Sequence, residues 1–293
     1  MRSGHIIFSL LIVCAAVIAA PSHRFMKSGC NAGSVAIVGV DGNIEWEYPI
    51  ADETSDSWLL ENGNVIFSYK KGVREVRPDK TTAWEYTAAP ASEVHACQPL
   101  DNGFFLIGES YTNGTSLVCE MSRDGTKRLS FIITNGGNAH NQFRQIRKTP
   151  QGTYLISLQR GGGVSKEYDA SGTCIRTFPG GRYAAVRLAD GNTLIACGDE
   201  HRLIEVNAAN EIVWEVKQND IPGVSLGFVA GVQRLANGNT VICNWSGHGG
   251  AKDQAQVIEI TREKTLAWEL RDARLKMISS ITILDESGAG NYR

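Results

Sequence analysis

Several side chains in this sequence that can do chemistry near neutral pH have no counterpart in the segments around them. His95 stands in EVHACQPL, His140 and Arg144 in HNQFRQIRK, Tyr183 in RYAAVRL, Arg160 in LQRGGG and His248 in NWSGHGGAKDQ. An imidazole is a nucleophile or proton carrier at this pH, and a guanidinium holds oxyanions with fixed N–H donors. Trp58, in SDSWLL, offers an aromatic wall beside them. The candidate catalytic set is therefore His140, Arg160 and His95. The candidate ligand-binding set is Trp58, His95, His140, Arg144, Tyr183 and His248. Glu93 and Glu109 add a candidate acidic pair of the kind glycoside cleavage uses. No run has calcium- or zinc-ligand spacing, so neither a metal nor a cofactor is expected. HExxH and P-loop motifs are missing from the chain after residue 20.

The elements that position these residues are read from what repeats. Trp-Glu occurs four times, in DGNIEWEY, PDKTTAWEY, AANEIVWEV and REKTLAWEL. A second phrase precedes it: LLENGNVIF, PLDNGFFLI, RLADGNTLI and RLANGNTVI, with weaker copies KTPQGTYLI and ITILDESG. Asn-Gly and Asp-Gly between alternating apolar runs mark tight hairpins, because glycine accepts the positive φ such turns demand. Each phrase is two antiparallel strands. A third with period-2 alternation follows, as in VIEIT, and then the strand carrying Trp-Glu. Four strands recurring about every 40 to 50 residues predict a β-propeller.

Gly63, Gly103, Gly152, Gly191 and Gly238 mark five blades. A sixth is assembled from the two ends: SVAIVGVDGNIEWEY supplies outer strands and SSITILDES inner ones. The expected fold is an all-β, six-bladed propeller of four-stranded blades, one domain over residues 28–290, with N- and C-terminal strands paired to close the ring and remove exposed sheet edges. Trp46, Trp84, Trp214 and Trp268 then fall on outer strands, as packing between blades. The inner strands, at 55–60, 93–100, 140–148, 182–188, 228–235 and 277–284, line the channel. The loops that enter the channel carry the candidate site residues.

The unit ending in DGNIEWEY resembles the quinoprotein-like (PQQ-type) propeller repeat over nearly the whole chain after residue 20. Quinone-dependent members are typically longer, eight-bladed and calcium-bearing, and the carboxylates for such a site are missing here. A narrower stretch, AHNQFRQIRKTPQGTYLISLQR, is similar to the active blade of bacterial arylsulfotransferases. That resemblance implies His140 as the sulfated nucleophile, Arg160 as sulfate binder, His95 as a second channel histidine and Arg144 as a further stabilising cation. The chain departs from that family in lacking its N-terminal β-domain and in having no histidine in the inner strand FVAGVQRL.

A basic start, an apolar run from Ile6 to Ile18 and then Ala19-Ala20-Pro21 read as a signal peptide over residues 1–20, hence export to the periplasm or outside the cell, with acylation at Cys14 disfavoured by the bulky Val13. Lys+Arg 29 against Asp+Glu 31 leaves a formal net charge of −2 and no basic footprint for nucleic acid. The other six cysteines, Cys30, Cys97, Cys119, Cys174, Cys197 and Cys243, are scattered over different repeats, which predicts buried thiols, with Cys30 the one candidate for a pair. The reading is a monomeric scaffold that binds a small molecule, glycan or cell-envelope protein through its channel face. The alternative is an enzyme of the arylsulfotransferase type.

Overall fold

The computed structural model describes residues 23–159, 163–249, 253–285 and 293. The expected signal peptide with Cys14, and Arg160 with Gly161 and Gly162, lie outside these residues. Six four-stranded antiparallel sheets form the blades of a propeller. Inner strands at Thr54–Leu59, Ser92–Pro99, Phe143–Lys148, Ala184–Arg187, Phe228–Arg234 and Ser280–Ile283 surround the channel. Among the described residues no helix is long and apolar enough to cross a membrane.

The closing blade pairs Ser280–Ile283 with Phe25–Ser28, which pairs in turn with Ser34–Val38. The N-terminal region thus supplies three strands, and the C-terminal region only the innermost. The extra strand, Phe25–Ser28, begins before the predicted boundary at residue 28. It is fully buried, Lys27 included, whose ammonium donates to Ala32 O at 3.1 Å and Ser34 Oγ at 2.9 Å.

Apolar side chains from facing sheets fill the wedges between blades, as where Ile66 and Val73 pack with Val94, Phe105 and Ile107. The Trp-Glu tryptophans lie on the outer strands and tie blade to blade. The indole N–H of Trp46 donates to Pro78 O, that of Trp84 to Arg123 O, and that of Trp214 to Arg262 O. Opposite Trp84, Trp214 and Trp268 in the ladder stand Glu75, Glu205 and Glu259. Glu75 and Glu205 accept from a hairpin asparagine of their own blade and an arginine of the next, namely Asn64 with Arg123 and Asn192 with Arg234. Such a carboxylate is fully paired, which is the condition for its burial. The repeat's charges therefore hold the ring together.

All six cysteines in the described residues are free. Cys97, Cys119 and Cys243 are buried thiols inside strands, Cys197 is a buried thiol just after one, Cys30 is half-buried and unpaired, and Cys174 is exposed on an outer strand, against the expectation for it.

Four inner strands slip register at their channel entrance: between Thr54 and Asp56, Val94 and Ala96, Phe143 and Ile146, and Val229 and Val232. The residues inside these bulges include Ser55, His95, Arg144 and Gln145. A bulge re-aims a side chain that regular alternation would send into the wedge. This is how His95 and Arg144 come to face the channel.

Candidate functional site

The start of each inner strand and the end of each second strand meet at one mouth of the channel. There a cavity of about 310 Å³ is lined by Glu53, His140, Arg144, Arg182, Tyr183, Asp199, Phe228, Trp245, His248 and their neighbours. The structure thus brings together His140, Arg144, Tyr183 and His248. Trp58 lies at the opposite mouth, in a separate cavity of about 440 Å³ with Arg147, Arg187 and Arg293. Its place near the far end of its strand, next to the hairpin turn, puts it there. His95 lies behind His140, 1% exposed, with ring centroids 5.8 Å apart.

His140 precedes its strand, on a single 3-10 turn over Ala139–Asn141. Asn138 caps that turn through its side chain and Asn141 closes the box in return. This presents the imidazole at the rim, where Nδ1 lies 2.8 Å from Glu93 Oε2 and Nε2 lies 3.1 Å from Arg144 Nη2. A guanidinium cannot accept a hydrogen bond, so Nε2 is the acceptor, Nδ1 carries the proton, and that proton goes to Glu93. Burial alone would raise the Glu93 carboxyl, but hydrogen bonds from His140 and His95 outweigh it and hold the group far below the usual carboxylate range. Burial, with the Arg144 charge in second place, lowers His95 to about 4, so its imidazole is neutral at physiological pH. Its Nδ1 contacts Ser55 Oγ at 3.4 Å.

Arg144 is the fixed cation of this wall. Its Nη1 donates to His140 O and to Phe143 O, its Nη2 donates to His140 Nε2, and its Nε lies 3.6 Å from Glu53 Oε1. Among the described residues, four of the five guanidinium hydrogens have a partner, and one on Nη2 has none. Burial first, then the Glu53 charge, pushes the Cys30 thiol at the cavity edge up to about 12, which makes it a poor nucleophile.

Across the cavity His248 Nδ1 lies 2.8 Å from Asp199 Oδ1, and Arg182 holds the other oxygen of Asp199 at 3.2 Å. Gly198, at φ +56, turns the chain there, and a Cβ on it would meet Phe228 at 2.9 Å. The His248 ring packs edge-on against Phe228 and Trp245, with centroids 5.1 and 4.9 Å away. Tyr183 donates to Ser279 Oγ at 2.9 Å and forms part of the floor.

Glu109 does not pair with Glu93. It accepts from Tyr86 Oη at 2.5 Å and from the Ala89 backbone N–H at 2.7 Å, and it is 1% exposed. Glu93 pairs in register with Ser110, and Glu109 with Val94, so the two carboxylates leave opposite faces of the sheet.

Glu93, His95 and His140 bring one ligand atom each within 4.8 Å of one another, a spacing that invites a metal. The donor set argues against it. A metal would need the lone pair of His140 Nδ1, whereas the Arg144 contact at Nε2 places the proton on Nδ1.

Sequence reasoning missed Glu53, Arg182, Asp199, Phe228 and Trp245. Glu53 and Arg182 stand one and two residues before an inner strand, Phe228 is the first residue of one, Trp245 ends a second strand and Asp199 follows one by three residues. That position, more than residue type, is what brings a side chain to this mouth.

These features define a six-bladed propeller with a polar, aromatic-walled cavity at one channel mouth. The chain belongs to the Mal s 1 allergenic protein-like family, whose sequence model matches residues 20–265. It is 31% identical to a protein of unknown function from Bacteroides caccae, with a TM-score of 0.81 over 88% of this chain and 97% of that one. Streptogramin B lyase has the same fold at 13% identity, with a TM-score of 0.61 over 94% and 93% of the two chains. A catalytically inactive virginiamycin B lyase from Staphylococcus aureus, with quinupristin, is 14% identical, with a TM-score of 0.58 and 86% of each chain covered. No curated protein matches the sequence. The family shown is thus the Mal s 1-like one; the quinoprotein-like and arylsulfotransferase resemblances rest on sequence motifs alone.

Proposed function

We propose that this protein is an exported binding propeller whose site is the His140 mouth, and that its ligand is a small neutral organic molecule with an aromatic or alicyclic body and a carbonyl or hydroxyl oxygen. The observation that carries this is the balance of the lining. Two cations, Arg144 and Arg182, face two carboxylates, Glu53 and Asp199, beside the rings of Phe228, Trp245 and Tyr183. Fixed polar groups of balanced charge beside aromatic rings suit a small uncharged molecule with a polar oxygen. The free Nη2 hydrogen of Arg144 is the donor for the ligand oxygen.

The same balance weighs against sulfuryl transfer at His140. A sulfuryl group needs surplus cationic donors, but Glu53 lies 3.8 Å from His140 Nε2, and Arg144 already occupies that nitrogen. Export rests on the sequence of residues 1–20.

A simple neutral ketone, 4-nitroacetophenone, tests the reading by titration against tryptophan fluorescence. Saturable binding that weakens at least about tenfold in Trp245→Ala and stays within about twofold in Trp58→Phe is expected, tenfold being the scale of one lost aromatic contact. Equal affinity in wild type and Trp245→Ala would refute it.

A further inference from the structure

We propose that His248, held by Asp199, is the base of this cavity, that the ligand is a small neutral ester whose acyl group is transferred to water, and that His140 is a positioning residue for Arg144. This rests on the binding reading above and goes beyond it by assigning a reaction and reversing the roles of the two exposed histidines.

The two imidazoles are built alike on one side and differently on the other. Both present Nδ1 to a carboxylate at 2.8 Å, Glu93 for His140 and Asp199 for His248. A carboxylate on Nδ1 fixes the ring, places the proton on that nitrogen and leaves Nε2 as the basic atom. At His140 that atom is occupied by Arg144, which cannot be displaced cheaply because three of its hydrogens are committed to His140 and Phe143. At His248 no protein group bonds Nε2 among the described residues. Among the described residues, the charged groups that face His248 are Asp199 directly and Arg182 through Asp199, and its ring packs on Phe228 and Trp245.

The wall opposite supplies the other half of an acyl transfer. Arg144 has one Nη2 hydrogen free, in a guanidinium pinned on three sides, and it is 8% exposed. A pinned donor in a largely buried wall stabilises charge that develops on a carbonyl oxygen. In the step, His248 Nε2 takes a proton from water as the water oxygen bonds to the carbonyl carbon. The carbonyl π pair moves onto the oxygen facing Arg144. The tetrahedral species then collapses, the bond from carbon to the alkoxy or aryloxy oxygen breaks, and the proton on His248 passes to that leaving oxygen or to solvent. One water and one ester give one acid and one alcohol, with no oxidant or further reactant. The near-neutral lining favours an uncharged ester.

The test uses two probes on the whole protein: 4-nitrophenyl acetate for turnover, counted beyond one equivalent per chain so that acetylation of surface amines does not contribute, and 4-nitroacetophenone for binding. The wild type is expected to bind the ketone and turn over the ester. His248→Ala and His248→Gln should lose about 100-fold in kcat, the lower end of what a positioned base contributes, over and above any change in ketone affinity. They should also lose the acid limb of the pH profile of kcat. Asp199→Asn should fall in the same direction. His140→Gln should raise KM while the acid limb survives, as a residue acting through Arg144 would. The side chain of His248 is 56% exposed, so its substitution leaves the fold intact. Ketone binding without ester turnover, or turnover unchanged in both His248 variants, overturns this proposal and leaves the binding site standing. Failure of the wild type to bind the ketone overturns the binding reading and this one with it.

Discussion

The two mouths of the channel are made of different parts of the same repeat. At one, hairpin turns bring up Arg147, Lys148 and Arg187, and every one of these cations has a carboxylate. Arg147 holds Asp56 with two bonds of 2.7 and 3.0 Å, Lys148 meets Glu120 at 2.5 Å, and Arg187 meets Glu167 at 2.5 Å. Trp58 lies between the guanidinium groups of Arg147 and Arg293, 5.1 and 3.6 Å from its ring. At the other mouth, strand starts and second-strand ends carry mostly unlike residues, with Glu53 and Glu93, each two positions before the bulge of its strand, as a shared pair. The arginine–carboxylate pairs there are longer, 3.6 Å for Arg144–Glu53 and 3.2 Å for Arg182–Asp199, the second is also more than a third exposed, and no protein group bonds His248 Nε2 among the described residues. Charge at the first mouth serves the ring, and charge at the second is what the proposed ligand would meet.

The largest effect that would break this contrast is on stability. Arg147→Ala leaves Asp56 buried and unpaired, 0% exposed, and is expected to cost about 3–5 kcal/mol in urea unfolding. Arg182→Ala removes the matching pair at the other mouth, where both side chains are more than a third exposed, and is expected to cost less than about 1 kcal/mol. Similar losses for the two would erase the distinction.

Next in size is a pH effect at the ligand mouth. His95 titrates at about 4 in the fold against 6.5 unfolded, so between those values the unfolded chain binds the extra proton. Stability present above pH 6.5 is therefore lost as pH falls to 4, by about 3 kcal/mol, and the depressed Glu93 carboxyl adds to the loss in the same direction below that. His95→Gln should flatten the pH 4 to 6.5 part of the curve. An unchanged slope would mean that His95 is not the buried neutral group described.

The smallest expected change concerns the ring itself. Trp214→Phe loses the bond to Arg262 O and the stacking of Arg234 and Arg262 on the indole, for about 1–2 kcal/mol by thermal unfolding. Ketone binding should not change, since Trp214 is on the outer strand.

The contrast also marks what could be read from the sequence. Hairpins, blade number and ring closure were legible, because Asn-Gly turns and period-2 runs are local signals. The strand Phe25–Ser28 was not, because Lys27 breaks its apolar run and is accommodated only by acceptors in the following turn. His140, Arg144, Tyr183 and His248 could be named because the repeat does not require them. Which mouth each reaches depends on its distance along the strand from the hairpin turn, and that distance separates Trp58 from the others. Of the partners that decide what each histidine does, Glu93 and Asp199 come from neighbouring blades, while Arg144 reaches back to His140 from the strand that follows it. Their bulges and loop turns leave no periodic trace.

The most direct test of the account is the indole N–H spectrum of the protein titrated with 4-nitroacetophenone. Trp245 and Trp58 stand one at each mouth, with N–H groups fixed on Cys30 O and Cys97 O. The account predicts that the Trp245 resonance shifts in a saturable way while the Trp58 resonance stays in place. A shift of Trp58 with Trp245 unmoved would contradict it.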